Sequence, residues 1–179
     1  MAINLIWDKT DCMLIINGLH IQAAPKDFPP FYYTALVEEQ DTHLLLREQT
    51  TISDPGKPSW YLANILEDED TFDLGTIVIK GKNLQRLMAI VHDIDKTPTC
   101  RSADILAAYL QLSQVVTQLQ LKTIALSLLG TVQGKLPIED AMAYLKQGFL
   151  ANTPPCLEKM WLILPDEATC QCLDILRTD

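Results

Sequence analysis

Thr123-Ile124-Ala125-Leu126-Ser127-Leu128-Leu129-Gly130-Thr131-Val132-Gln133-Gly134-Lys135-Leu136-Pro137 is the stretch that decides the fold. Residues 123–129 are mostly apolar, with buried-strand character. They run into a short turn bearing Gly130 and Gly134, and a helix then opens at Pro137. A strand feeding a glycine turn feeding a helix N-terminus is how α/β proteins present bare backbone N–H groups to an anion. Glycines also serve such turns merely by reversing the chain, so a ligand loop and a plain turn both stay open.

Outward from this unit the pattern repeats. Residues 87–92 form an apolar strand. Ser102 is placed as the N-cap of a helix in which Ile105, Tyr109, Leu112, Val116 and Leu119 recur at helical spacing. Pro137 suits a first helical position, and Glu139 and Asp140 favour the dipole of a helix whose buried stripe is Ile138, Met142, Leu145 and Phe149. Residues 159–164 read as a last strand, and Asp166 as the cap of a final helix turning Leu173 and Leu176 inward. Strand and helix thus alternate three times after residue 86, the mark of parallel right-handed crossovers. The expected fold is α/β, three-layer α/β/α around a mixed central sheet that is parallel in its C-terminal half. One domain spans residues 1–179.

The N-terminal half is strand-rich. Residues 3–7 and 12–16 read as strands, the second ending at the turn dipeptide Asn17-Gly18, and residues 20–24 complete a hairpin. Pro25, Pro29 and Pro30 forbid regular structure; residues 31–39 fit a short helix or an extended piece. Residues 42–51 and 59–66, separated by Asp54-Pro55-Gly56-Lys57-Pro58, predict an inserted β-hairpin around 42–66. Glu67-Asp68-Glu69-Asp70 fits a solvated loop better than a cation site. Residues 74–80 predict another strand.

Composition narrows the function classes. A chain of 179 residues, 48% hydrophobic and 21% charged, is an ordinary globular protein with a proper core. Its net charge of −9 and pI near 4.7 repel nucleic acid and anionic membranes at long range. A small anion held by local dipoles remains compatible, because the field at a helix end outweighs diffuse charge within a turn. Five cysteines, Cys12, Cys100, Cys156, Cys170 and Cys172, predict reduced thiols in a cytoplasmic protein. The opening residues are too soon acidic for a signal peptide, and no apolar run reaches the ~20 residues that span a bilayer.

From about residue 74 onward the chain resembles the macro domain, an ADP-ribose-binding α/β module. Residues 74–84, with Gly81, Asn83 and Leu84, look like that family's glycine-asparagine-leucine strand and turn. Residues 87–92 look like the following strand, which closes on a histidine. Residues 130–137 are similar to its second phosphate loop, and Leu164-Pro165-Asp166-Glu167 to its last strand-to-helix junction. Asp8-Lys9-Thr10 is similar to its Asp-Ile-Thr, whose acid accepts a hydrogen bond from the adenine amino group. Residues 15–20 are similar to its Ile-Val-Asn-Ala-Ala-Asn, so Asn17 keeps the first asparagine and His20 replaces the second, which positions the distal ribose. The sequence departs from the family in two further ways. No glycine lies between Gly18 and Gly56, where its first phosphate loop belongs, and Pro165 replaces an aromatic that often stacks on adenine.

The resemblance implies a ligand site at Asp8, Asn17, Gly130, Thr131, Val132, Gln133 and Gly134. Asp8 as a turn acid and Asn17 as half of an Asn-Gly turn also need no ligand to explain them. His20 has no carboxylate or nucleophile partner near it in sequence. His92, Asp93 and Asp95, just past a strand's C-terminal end, fit a local hydrogen-bonding cluster better than a metal or ribose site. No nucleophile elbow, zinc spacing or Walker loop occurs. The expectation is a small-ligand-binding protein for ADP-ribose or a related nucleotide, without robust hydrolase activity, cofactor or metal. The alternative is a protein-interaction or scaffold module, self-associating or binding a protein partner, that has lost the pocket.

Overall fold

A computed structural model describes residues 12–46, 71–81, 84–165 and 169–177. Among the described residues seven strands build one mixed sheet: β1 (Met13–Ile16), β2 (Leu19–Ala24), β3 (Ala35–Asp41), β4 (Ile77–Lys80), β5 (Gln85–His92), β6 (Thr123–Ser127) and β7 (Lys159–Ile163). Their order across the sheet is β1-β2-β7-β6-β3-β5-β4. The five inner strands run parallel, and the edges β1 and β4 pair antiparallel with β2 and β5. The mixed sheet is as expected, but its parallel part also takes in β2 and β3 from the N-terminal half.

Three helices, α1 (Ser102–Gln118), α2 (Ile138–Gly148) and α3 (Thr169–Arg177), pack on one face. Period-two alternation explains the division of side chains between the faces. Ile21 and Ala23 of β2, Ile124 and Leu126 of β6, and Met160 and Leu162 of β7 join Ile105, Leu112, Met142, Leu145 and Leu173 in the main core. Each such large apolar side chain removed from water contributes about 2 kcal/mol. The opposite parity, Ala24, Ala125 and Trp161, meets Phe31 and Tyr33 on the other face, with the Tyr33 and Trp161 rings 5.4 Å apart. That face carries no helix among the described residues. α1 approaches α2 closely because residue 148 is glycine: a Cβ there would sit 2.7 Å from Tyr109 Cβ.

Several local expectations shift. Residues 31–39, left between helix and extended chain, give way to β3, which lies between β6 and β5 well inside the sheet. Ser102 is the first helical residue of α1; the cap position is Arg101, with extended backbone and no side-chain cap bond. Pro137 sits one residue earlier than expected, at the cap of α2, and Phe149 lies just past that helix yet fully buried. Gly75, at φ +79°, breaks the strand expected over 74–80, so only Ile77–Lys80 is strand. Of the expected 42–66 hairpin, residues 42–46 form a loop and the remainder lies outside the described residues, as do residues 3–7, the 67–70 acids and Asp166. Cys12 is disulfide-bonded, which corrects the all-reduced expectation, while Cys100, Cys156 and Cys172 are free thiols. An odd count forbids complete pairing, not a single bridge. Among the described residues no helix is long and apolar enough to cross a membrane.

Candidate functional site

The C-terminal ends of the parallel strands converge on a cavity of about 550 Å³. Open α/β sheets bind ligands at this edge. Pro25 and Lys26 enter from the end of β2, Glu38, Glu39 and Gln40 from β3, Thr131, Val132 and Gln133 from the turn after β6, and Ile163, Leu164 and Pro165 from β7. The turn is built by its glycines. Gly130 takes φ +86°, and a Cβ on Gly134 would lie 2.6 Å from the Gly130 carbonyl oxygen. Leu136 N–H donates to that same carbonyl at 2.9 Å, closing the loop before α2.

The polar centre of this corner is Glu39. Its Oε2 accepts the Gly130 N–H at 2.5 Å, and its Oε1 accepts the Gln133 N–H. Glu39 is 7% exposed, so these charge-assisted bonds satisfy a carboxylate that burial alone would destabilise. The backbone groups expected to face a ligand anion therefore already hold one. His92, fully buried, places Nε2 3.5 Å from Glu39 Oε1, too long for a good hydrogen bond, and that nitrogen has no other partner among the described residues. Its Nδ1 faces Thr99 Oγ1 at 3.4 Å.

The neighbouring groups register the same negative charge. Burial first, and then the charges of Glu39 and Asp104, push the Cys100 thiol up to about 12. Burial, with smaller contributions from Glu39 and Cys100, also raises the Tyr109 phenol, although the Leu129 N–H donated to its hydroxyl at 3.2 Å works in the other direction. Neither group is a nucleophile near neutral pH.

A second closed turn lies beside the first, after β3. Asp41, fully buried, accepts three backbone N–H groups: His43 at 2.7 Å, Leu45 at 2.9 Å and Leu46 at 2.8 Å. Leu44 at φ +56° curls the backbone around it into a concave set of donors. Arg86 donates to Glu38 through Nε at 3.0 Å and Nη2 at 2.6 Å, so this cation at the rim is already paired.

Of the seven residues expected at the site, Gly130, Thr131, Val132, Gln133 and Gly134 form the turn after β6. Asp8 lies outside the described residues. Asn17 occupies the β1–β2 turn, at the opposite edge of the sheet, because β2 begins there and ends at the cavity. Its Nδ2 donates to Leu150 O at 3.4 Å. His20, at the start of β2, is exposed on that same far edge. The His92, Asp93 and Asp95 group divides. His92 turns into the buried corner, whereas Asp93 binds Lys96 Nζ at 2.5 Å, an interaction that leads the lowering of its pKa. Sequence reasoning missed Glu38, Glu39, Gln40 and Asp41. The available signal was Ala35-Leu36-Val37, three strand-forming residues running directly into four polar ones, as a strand does when its C-terminal end meets a site.

No protein-family profile matches the chain, and no curated protein matches it either. Solved structures do. The Oceanobacillus iheyensis macrodomain with ADP superposes at TM-score 0.65 and 17% identity, covering 92% of this chain and 94% of that one. A mutant of the same macrodomain with ADPR gives 0.67 at 14% identity over 92% and 96%. The Trypanosoma brucei macrodomain in complex with ADP gives 0.57 at 14% over 86% and 68%. The fold is that of a macrodomain. Within this macrodomain fold, the expected α/β class and mixed sheet hold. At such low identity the likeness extends to architecture, and the ligand must be argued from this chain's own cavity.

Proposed function

We propose that the chain is a non-hydrolytic binding module that takes a small nucleoside-derived ligand in the cavity at the C-terminal ends of β2, β3, β6 and β7. The observation that carries this reading is the 550 Å³ cavity walled by Thr131, Val132 and Gln133, a volume within the range that encloses small ligands. The ligand class is supported by macrodomain-fold neighbours solved with ADPR and ADP. Binding without turnover is supported by Glu39: both its oxygens are engaged by backbone N–H groups, so it is not poised to take a proton from water. Calorimetry with adenosine and ADP-ribose tests the proposal. Saturable binding of either below ~100 μM, about −5.5 kcal/mol, supports it, and no heat from either at millimolar ligand overturns it.

A second reading, a protein-interaction module, draws on the edge strand β1, where Met13 and Ile15 are 47% and 56% exposed. An exposed apolar edge is a ready template for another chain. Light scattering that shows a dimer, abolished by Ile15→Lys, would favour it; a monomer at all concentrations would remove it.

A further inference from the structure

In α/β folds, turns after parallel strands grip a ligand's phosphates through backbone N–H groups. Both turns that meet at the end of β3 are closed on carboxylates from β3 itself. Glu39 takes the N–H groups of Gly130 and Gln133. Asp41, two residues further along, takes those of His43, Leu45 and Leu46. A ligand phosphate arriving at either turn would have to displace a buried carboxylate already seated on its donors, or lie against that negative charge. By contrast, the Gln133 side-chain Oε1, on the wall of the cavity, is a buried acceptor without a partner among the described residues. A buried polar atom of this kind is costly unless something donates to it.

We infer that Glu39 and Asp41 are built-in substitutes for the anionic groups of a ligand, so that the cavity selects an uncharged, hydrogen-bond-donating molecule, a nucleoside in preference to its phosphates. This rests on the binding reading above and narrows its ligand class. Glu39 is the specificity-determining residue, because its carboxylate lies beside the cavity wall, whereas Asp41 is enclosed in its own loop. The geometry also sets the direction of change. Removing the Glu39 charge frees the Gly130 and Gln133 N–H groups to donate to an outside anion while leaving Gln133 Oε1 where it is.

The test uses the full chain, inorganic pyrophosphate as the anion probe, and adenosine and ADP-ribose as ligands. In the wild type, the backbone amide resonances of Gly130 and Gln133 stay unmoved by millimolar pyrophosphate, and adenosine binds at least ~10-fold more tightly than ADP-ribose. In Glu39→Ala the two resonances titrate with pyrophosphate, and ADP-ribose gains at least ~10-fold while adenosine changes little. Glu39→Gln keeps the side-chain volume and one acceptor oxygen, so if the alanine variant does not fold, one of the two resonances titrates with pyrophosphate in the glutamine variant. Saturable movement of these resonances in the wild type, or none in either variant, overturns the substitution inference whether or not adenosine binds. Should the pyrophosphate pattern hold while neither adenosine nor ADP-ribose binds any form, the role of Glu39 stands and the nucleoside-binding reading falls.

Discussion

The two edges of the sheet both carry a glycine turn, and they use glycine differently. At the edge where β2 begins, Asn17 and Gly18 reverse the chain with φ values of +51° and +82°, and a Cβ on Gly18 would meet nothing within 4 Å. At the edge where the parallel strands end, Gly130 and Gly134 are hemmed in. A Cβ on the first would lie 2.9 Å from Ile105 Cδ1, and on the second 2.6 Å from a backbone oxygen. The open turn needs glycine only for its dihedral angles. The closed turn needs it to fold tightly enough around the Glu39 carboxylate. Equal motifs in sequence thus hold unequal amounts of structure, and only the crowded one borders the cavity at the C-terminal ends of β2, β3, β6 and β7, while the open one lines a separate cavity with His20 and Asn152.

Substitution at the glycines tests that contrast most severely. Gly134→Ala should destabilise by about 2–3 kcal/mol, because a backbone oxygen cannot swing aside as a flexible side chain can. Gly18→Ala should cost about 1 kcal/mol, the strain of a left-handed residue in open space. Urea midpoints of the two variants give the comparison directly, and equal losses would mean that the two turns are equivalent after all. Glu39→Ala follows at about 2 kcal/mol, since it leaves two buried N–H groups without acceptors. Glu39→Gln should cost less, having one oxygen still able to accept. If Glu39→Ala is instead more stable than the wild type, the carboxylate is poorly satisfied and the contrast weakens.

The alkaline limb of the stability curve sharpens the same comparison from the electrostatic side. Cys100, beside Glu39, keeps its proton to about 12 in the folded chain, whereas an unfolded cysteine releases it near its ordinary value of 9.0. Between these values the unfolded state binds fewer protons, so stability is complete below pH 9 and declines as pH rises toward 12. Tyr109 adds a decline of the same sign at higher pH. Burial is the leading cause for Cys100 and the Glu39 charge the next, so Cys100→Ser should flatten the decline more than Glu39→Gln does. Denaturant midpoints over this range would read both slopes.

What was legible in the sequence follows the same division. β5, β6, β7, α1 and α2 could be read within a residue or two because Leu87, Ile124, Met160, Ile105 and Met142 sit in clear apolar runs or helical periodicities. The turn after β6 was legible as a turn. Its occupant was not, because Glu39 is 91 residues from Gly130 in the chain, and nothing local ties them. β3 stayed undecided between a short helix and an extended piece for a related reason. Glu38, Glu39, Gln40 and Asp41 give an inner strand the composition of a loop, and they do so because their side chains serve the turns around them. The polar residues that hid the strand are the ones that define the site. The odd cysteine count misled for a simpler reason, since an odd total is compatible with a bridge at Cys12 as well as with free thiols.

The smallest expected effect falls on Asn17, and it decides how far motif similarity carries. The likeness of residues 15–20 to a macro-domain asparagine motif would put Asn17 against a ligand, yet this residue lies at the start of β2 while the cavity lies beyond its end. Its hydrogen bond to Leu150 O is long, at 3.4 Å, and asparagine at φ +51° is already close to its easiest left-handed conformation. Glycine relieves that small strain and loses that weak bond, so Asn17→Gly should change stability by less than about 0.5 kcal/mol. Calorimetry should give the same adenosine affinity as the wild type. A clear loss of binding in a variant with unchanged stability would place the ligand at the hairpin edge, among Asn17, His20 and Asn152. It would then be the crowded turn, with its buried acid, that is merely structural.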